Sequence, residues 1–145
     1  MARIKVPLPP FFSFSTHIPI RITDVNYGGH VGNDALLSII HEARMQFLQN
    51  LGYSEMNVEG IGLIMADVAI EFKTEAFYKD IIQVSIGAHD FSRVGFDLVY
   101  KLEKTQGEKI VPVAIAKTGM VCFDYNLKKV AALPPAASAK LQAQP

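Results

Sequence analysis

The sequence predicts an α+β fold in which one long helix lies on an antiparallel sheet. Apolar residues recur at helical spacing over one extended segment only, from Leu36 to Leu51. After residue 62 the chain instead alternates between apolar and polar residues in successive segments, as strands with one face on a core do. A strand, one enclosed helix and then a run of strands is the order expected when a helix packs on a sheet.

The first 22 residues predict an arm followed by a strand. Closely spaced prolines in residues 1–12 remove backbone donors and favour extended conformations, which is typical of a loosely held arm. Alternation from Phe14 to Ile22 predicts a first strand, placed at an edge or locally irregular because Pro19 has no N–H. The aromatic residues expected to dock the arm are Phe11, Phe12 and Phe14.

The helix is predicted to begin at a cap provided by Asn33 or Asp34 and to stop where Gly52 permits a left-handed turn. Apolar residues occur on more than one side of it, so it is expected to be enclosed. Further strands are predicted at 64–72, 82–88, 94–102 and 110–123, with a hairpin at Gly107. Residues 131–145, rich in Ala and Pro, form either a short helix or a disordered tail, and residues 1–145 are predicted to be one domain.

Composition excludes several classes of function. The 145 residues carry 14 basic and 14 acidic side chains, so no broad charge favours nucleic acid or an anionic membrane. A single cysteine, Cys122, cannot form an internal disulfide, which makes a cytoplasmic setting the expectation. No export signal and no apolar stretch of membrane-spanning length is recognised.

The segment from Asp24 to Asn33 carries the most chemistry. Its glycines precede a helix start, where unpaired N–H groups and the helix dipole can stabilise a developing oxyanion. The alternative is that Gly28 and Gly29 only form a tight turn. Candidate acids and bases nearby are Asp24, His30, His41 and Glu42.

Each candidate also has an ordinary structural interpretation. Glu42 lies two turns into the helix, where apolar surroundings could make it a base, but a solvated or Arg-paired glutamate is the alternative. His30 could orient a carbonyl or merely cap the turn. His41 points about 100° away from Glu42, so sequence adjacency does not make them a pair.

Other catalytic templates are absent from the sequence. It has no Gly-x-Ser-x-Gly elbow, phosphate-binding loop, dinucleotide fingerprint or paired His or Cys metal spacing. Cys122 lies in an apolar strand and is most simply a core residue. We therefore predict no metal and no cofactor.

Two segments carry a family resemblance. Residues 24–33 read Asp-Val-Asn-Tyr-Gly-Gly-His-Val-Gly-Asn and residues 41–44 read His-Glu-Ala-Arg. In order and spacing they resemble the motif of hotdog-fold acyl-CoA thioesterases of the 4-hydroxybenzoyl-CoA thioesterase type, and the likeness covers about residues 14–125. The resemblance implies a long central helix wrapped by a curved antiparallel sheet of about five strands. It also implies a homodimer or homotetramer with active sites at the subunit interface.

The chain departs from that family at Asn26, where many relatives have an aspartate that acts as nucleophile or base. An amide can only donate to the thioester carbonyl or hold a water. Related hotdog enzymes place a catalytic acid on the central helix, about two turns in, so the resemblance favours Glu42 as the base and Asp24 as the reserve.

The resulting hypothesis is hydrolysis of an acyl-CoA or acyl-carrier-protein thioester. Its carbonyl would be polarised by the N–H of Gly29, His30 or Val31, with Asn26 positioning it or the water. Glu42 would activate the water, while Asn33 and His30 would shape the site. The alternative is a hotdog protein that lost its acid at Asn26 and binds acyl thioesters without turnover. A dehydratase on the same fold is disfavoured, since those relatives have a different arrangement of His and acid.

Overall fold

The computed structural model describes residues 1–144, which form two helices and six strands. Strand β1 and helix α1 come first, and four longer strands follow. The bounds are β1 Phe14–Pro19, α1 Asn33–Asn50, β2 Gly62–Phe72, β3 Ile81–His89, β4 Gly95–Gln106, β5 Lys109–Asp124, β6 Lys129–Val130 and α2 Pro135–Gln142. Pro145, the last residue of the predicted tail and domain, lies outside the described residues.

The strands pair antiparallel in one sheet of order β1-β3-β4-β5-β2, and the short β6 pairs with β5. The buried side of α1 contributes Ile40, Ala43 and Phe47 to a core that also contains Ile82 and Ile86 of β3. The prediction of one long helix wrapped by an antiparallel sheet is therefore confirmed. Strand β2 stands at an edge, and among residues 1–144 nothing pairs with its second side.

Two local predictions before α1 are wrong. β1 stops at Pro19 rather than Ile22, because Ile22–Asp24 turns into one 3-10 turn closed by the Arg21 N–H donating to Asp24 Oδ2 at 2.8 Å. Gly32 occupies the N-cap position, and neither Asn33 nor Asp34 caps the helix by a side-chain hydrogen bond. The helix begins after Gly32 because the Gly32 carbonyl accepts the first helical hydrogen bond, from the Leu36 N–H at 3.0 Å.

Alternation along β2 is interrupted by a bulge between Met65 and Asp67. A bulge inserts one extra residue, so the residues facing α1 change parity. Leu63 before the bulge is buried, and Ile70 after it packs against the core. Of the even-numbered apolar residues predicted for this strand, Ile70 packs against the core, whereas Val68 and Phe72 are exposed within one chain.

The two ends of the chain pack on the sheet. Val6 in the arm is buried, and its N–H donates to Glu71 Oε2 at 2.7 Å. Phe14 meets Phe47 of α1 edge to face, with ring centroids 5.8 Å apart. Of the two alternatives for the tail, the structure shows the short helix, α2, which buries Leu141.

Candidate active site

The loop before α1 closes on itself and brings Asn26 and His30 together. The Asn26 N–H donates to the His30 carbonyl at 2.9 Å, and the Gly29 N–H donates to the Asn26 carbonyl at 3.0 Å. Gly29 has φ +87°, a conformation that a residue with a side chain rarely adopts. A Cβ on Gly28 would lie 3.2 Å from Asn26 Oδ1 and 3.5 Å from His30 Nε2. Both side chains therefore lie beside the same glycine.

The free backbone donors of this region are at the helix start rather than at every loop glycine. The N–H groups of Gly29 and Val31 donate to the carbonyls of Asn26 and Ala76, at 3.0 and 2.8 Å. Within residues 1–144, the N–H groups of His30 and of the first three helical residues have no acceptor. Helix N-termini carry partial positive charge, so this end of α1 can stabilise a developing oxyanion.

A cavity of about 210 Å³ opens at this helix end. Its two walls come from the loop with the start of α1, and from the segment that follows β2. The lining residues are His30, Val31, Gly32, Asn33 and Leu36 on the first wall, and Phe72, Lys73, Thr74, Glu75, Ala76 and Val113 on the second. Polar groups thus converge on a space large enough for a thioester group.

The second wall contributes a carboxylate that sequence reasoning missed. Glu75 Oε1 lies 3.9 Å from His30 Nε2 across the cavity. Buried Lys104 holds the backbone of Glu75 in place, since its Nζ donates to the Glu75 carbonyl at 2.7 Å and to Asp80 Oδ2 at 3.0 Å. No local motif marks Glu75, which follows His30 by 45 positions, so only its place at the end of a predicted strand could have signalled it.

Glu42 lies on the other side of α1 from this cavity. It follows Asn33 by nine helical positions, which is roughly 13 Å along the axis and about half a turn around it. It lines a separate groove of about 380 Å³, and its Oε2 accepts a hydrogen bond from Gln46 Nε2 at 2.8 Å. Within one chain the loop, His30 and Glu42 do not meet in one cavity.

Asp24 and His41 are occupied by structural partners. Asp24 is buried and bound to Arg21, with Arg21 Nη2 3.2 Å from its Oδ1, and this contact raises the pKa of Arg21. His41 Nε2 lies 2.7 Å from Glu55 Oε1, and Arg44 Nε lies 3.5 Å from the same oxygen. Neither predicted candidate reaches the cavity at the helix start.

The single cysteine, Cys122, is buried in the core. Burial raises the pKa of the Cys122 thiol to about 11, which leaves almost no thiolate near neutral pH. No group of three His, Cys, Asp or Glu side chains in the described part of the chain is arranged to hold a metal ion. None of the helices over the same range is long and apolar enough to cross a bilayer.

Comparison with known families decides the assignment. A profile described as the thioesterase-like superfamily matches residues 20–141. The chain belongs to this superfamily. Thioester hydrolysis is therefore the reaction to test at this site.

Individual relatives agree with the superfamily assignment. A putative esterase from Aquifex aeolicus is 24% identical over 79% of this chain and 87% of its own length. A 1,4-dihydroxy-2-naphthoyl-CoA thioesterase from Synechocystis superposes with a TM-score of 0.77 at 23% identity, over 88% of this chain and 94% of that one. A 4-hydroxybenzoyl-CoA thioesterase, solved as an Asp-to-Asn mutant with 4-hydroxybenzoyl-CoA, gives a TM-score of 0.80 at 17% identity, over 91% and 100%. These structures establish the hotdog fold for this superfamily member.

Proposed function

We propose that this protein hydrolyses an acyl-CoA or acyl-carrier-protein thioester at a site completed by a second subunit. The observation that carries the proposal is the cavity at the start of α1, where His30 and the unpartnered N–H groups of the helix start belong to one wall and Glu75 belongs to the other. Thioester hydrolysis builds negative charge on the carbonyl oxygen, and fixed N–H donors stabilise that charge more than the neutral ground state. Thioesterases of similar structure that act on CoA esters support the choice of substrate.

Asn26 has a defined part in this proposal. Its Oδ1 accepts the Gly28 N–H at 2.9 Å, which leaves the Nδ2 group as a donor. The amide would therefore help to orient the thioester carbonyl, as the N–H of His30 and those of Asn33 and its neighbours would. Gly29 and Val31 would shape the loop and the cavity wall, because their own N–H groups are already bonded.

The proposed subunit interface lies along β2. Four apolar residues there and on the adjacent side of α1 are exposed within one chain, namely Leu37, Met65, Val68 and Phe72. An exposed apolar edge strand is a template for pairing with another chain. Pairing of two β2 strands would cover this surface, and Phe72, which lines the cavity, would then lie near the interface. A homodimer is the smallest assembly that would cover these exposed apolar side chains.

Substitution of Val68 tests this interface. Val68→Lys would place an ammonium group in an apolar contact, a change that should weaken association at least about 100-fold. We expect light scattering to report a mass near the 16.0 kDa of one chain, with hydrolysis lost in the same sample. Val130→Lys in β6, at a position of similar exposure (51% against 41%), is the matched control and should leave mass and activity unchanged. A Val68→Lys protein with the mass of the wild type would contradict the interface.

A second function is favoured by the amide at Asn26. In this alternative the protein binds acyl thioesters without turning them over. We would incubate wild type and Asn26→Asp with acyl-CoAs of short, long and aromatic acyl groups and follow released thiol. The proposed hydrolase should raise thiol release in wild type at least about tenfold above the rate without protein. An inactive wild type together with an active Asn26→Asp would instead establish the binding protein.

A further inference from the structure

We propose that His30 and Glu75 together hold and deprotonate the water that attacks the thioester. This inference rests on the proposed hydrolase function and names the base for it. It differs from the expectation drawn from the family resemblance, which favoured Glu42 of the helix as the base. Four features of the cavity lead to it: the identity of its acidic residue, the distance between the two side chains, the orientation of the imidazole, and the hydrogen bonds that anchor the walls.

Glu75 is the only acidic residue among the described residues that line the cavity at the helix start. Its carboxylate is also free of basic partners other than His30 in the described chain, because the neighbouring Lys73 Nζ lies 3.4 Å from Glu71 Oε1 instead. A carboxylate whose charge is not bound to Lys or Arg keeps its lone pairs for a water. Glu75 can therefore act on a substrate molecule in this cavity.

The gap between the two side chains suits a water molecule. Glu75 Oε1 and His30 Nε2 are 3.9 Å apart, which is too far for a direct hydrogen bond. One water about 2.8 Å from each atom would make an angle of about 90° between them, close to the angle between its own O–H bonds. A single water can thus donate one hydrogen bond to each side chain.

The imidazole is oriented for this arrangement. His30 Nδ1 lies 3.3 Å from the carbonyl oxygen of Val31, so a proton on Nδ1 would point at an acceptor. Neutral imidazole carries one proton, and this tautomer leaves Nε2 as an acceptor facing Glu75. In this tautomer Nδ1–H donates to the Val31 carbonyl, and Nε2 accepts a hydrogen bond from the water.

A backbone hydrogen bond joins the two walls, and Lys104 anchors the second wall. The Val31 N–H, next to His30, donates to the Ala76 carbonyl, next to Glu75, at 2.8 Å. Lys104 Nζ, itself buried, donates to the carbonyl of Glu75 at 2.7 Å. One hydrogen bond therefore joins the backbones of the two walls, and a second anchors the backbone of Glu75 to β4.

The proposed reaction keeps protons and electrons balanced. His30 Nε2 takes one proton of the water as the oxygen forms a bond to the thioester carbon, and the carbonyl electrons move to its oxygen, which the N–H groups of α1 stabilise. Collapse of this intermediate restores the carbonyl and breaks the C–S bond. The departing thiolate takes the proton from the imidazolium, which the Glu75 carboxylate stabilises in the meantime. The products are a carboxylic acid and a thiol.

The test compares Glu75→Gln with Glu108→Gln in the full-length protein, using the acyl-CoA that wild type hydrolyses fastest. Glu108 is an exposed glutamate in the β4–β5 hairpin and serves as the matched control. We expect Glu75→Gln to lower kcat at least about 100-fold with KM within about threefold, since the residue acts in the reaction step. Glu75→Asp should recover part of kcat. His30→Asn should lower kcat similarly, and the double variant should lower it little further, because both residues act on one water.

Two outcomes would overturn the inference in distinguishable ways. An active wild type whose kcat is unchanged in Glu75→Gln, or whose kcat is lost instead in Glu42→Gln, would remove Glu75 from the reaction and leave the hydrolase function standing. A wild type that releases no thiol from any acyl-CoA or acyl-carrier-protein would overturn the proposed function and this inference together. Because the Glu75 side chain is 63% exposed, a folding defect is not expected, and circular dichroism would verify this for each variant.

Discussion

Gly95→Ala is expected to lower the free energy of unfolding by about 3 kcal/mol or more. Gly95 begins β4 and pairs with Val121 of β5. A Cβ at this position would lie 2.1 Å from the Met120 carbonyl oxygen and 3.1 Å from the carbonyl carbon. These are backbone atoms inside the sheet, so the two strands would have to separate. Urea denaturation followed by circular dichroism would measure the loss.

Gly87→Ala is the control for this prediction. A Cβ on Gly87 would also be too close to a backbone atom, 2.6 Å from the Phe11 carbonyl oxygen. That oxygen, however, belongs to the N-terminal arm, which can move away without opening the sheet. The expected loss is therefore smaller, about 1 kcal/mol. Equal stability of Gly95→Ala and wild type would contradict the tight β4–β5 contact.

Lys104→Met is expected to lower the free energy of unfolding by about 2 kcal/mol and to reduce hydrolysis. The Lys104 side chain is only 6% exposed, and its Nζ binds both Asp80 Oδ2 and the Glu75 carbonyl. Loss of the ammonium would leave Asp80 without its basic partner, and partial exposure of Asp80 reduces the penalty below that of a fully buried pair. The segment that carries Glu75 would also lose its anchor, so kcat should fall. Thermal unfolding and the thiol-release assay would measure the two effects.

Lys79→Met provides the comparison in the same segment. Lys79 is exposed, and among residues 1–144 its Nζ makes no ion pair and lies 5.8 Å from the centre of the Tyr78 ring. Its removal should change the free energy of unfolding by less than about 0.5 kcal/mol. If Lys104→Met were no less stable than Lys79→Met, the buried ammonium would not be the anchor that we infer.

The elements that depend on local pattern were predictable from the sequence. The helix follows from apolar spacing between Leu36 and Leu51 and from the left-handed turn at Gly52, which has φ +83°. The hairpin follows from Gly107, which has φ +66°. The bulge in β2 was not predictable, because apolar residues occupy both parities around Met65 and pairing with β5 decides which of them face α1.

The candidate site also has parts that could be predicted from the sequence and parts that could not. The loop of Asn26 and His30 is marked by its glycines and by the family resemblance, since all of its parts are close together in sequence. Glu75 and Lys104 reach the site only because β2, β4 and α1 pack together. Glu42 was selected by its depth along the helix, whereas the side of α1 that faces the cavity depends on how the helix lies on the sheet.

The sequence by itself therefore determined the α+β class, the order of its main elements and a loop suited to stabilising an oxyanion. These features arise from local propensity, periodicity and turn chemistry, which act over a few residues. The tertiary structure alone decided which carboxylate faces that loop. Contacts between segments 45 residues apart depend on strand register and helix rotation, and a change of one residue in either would turn a different side chain toward the cavity.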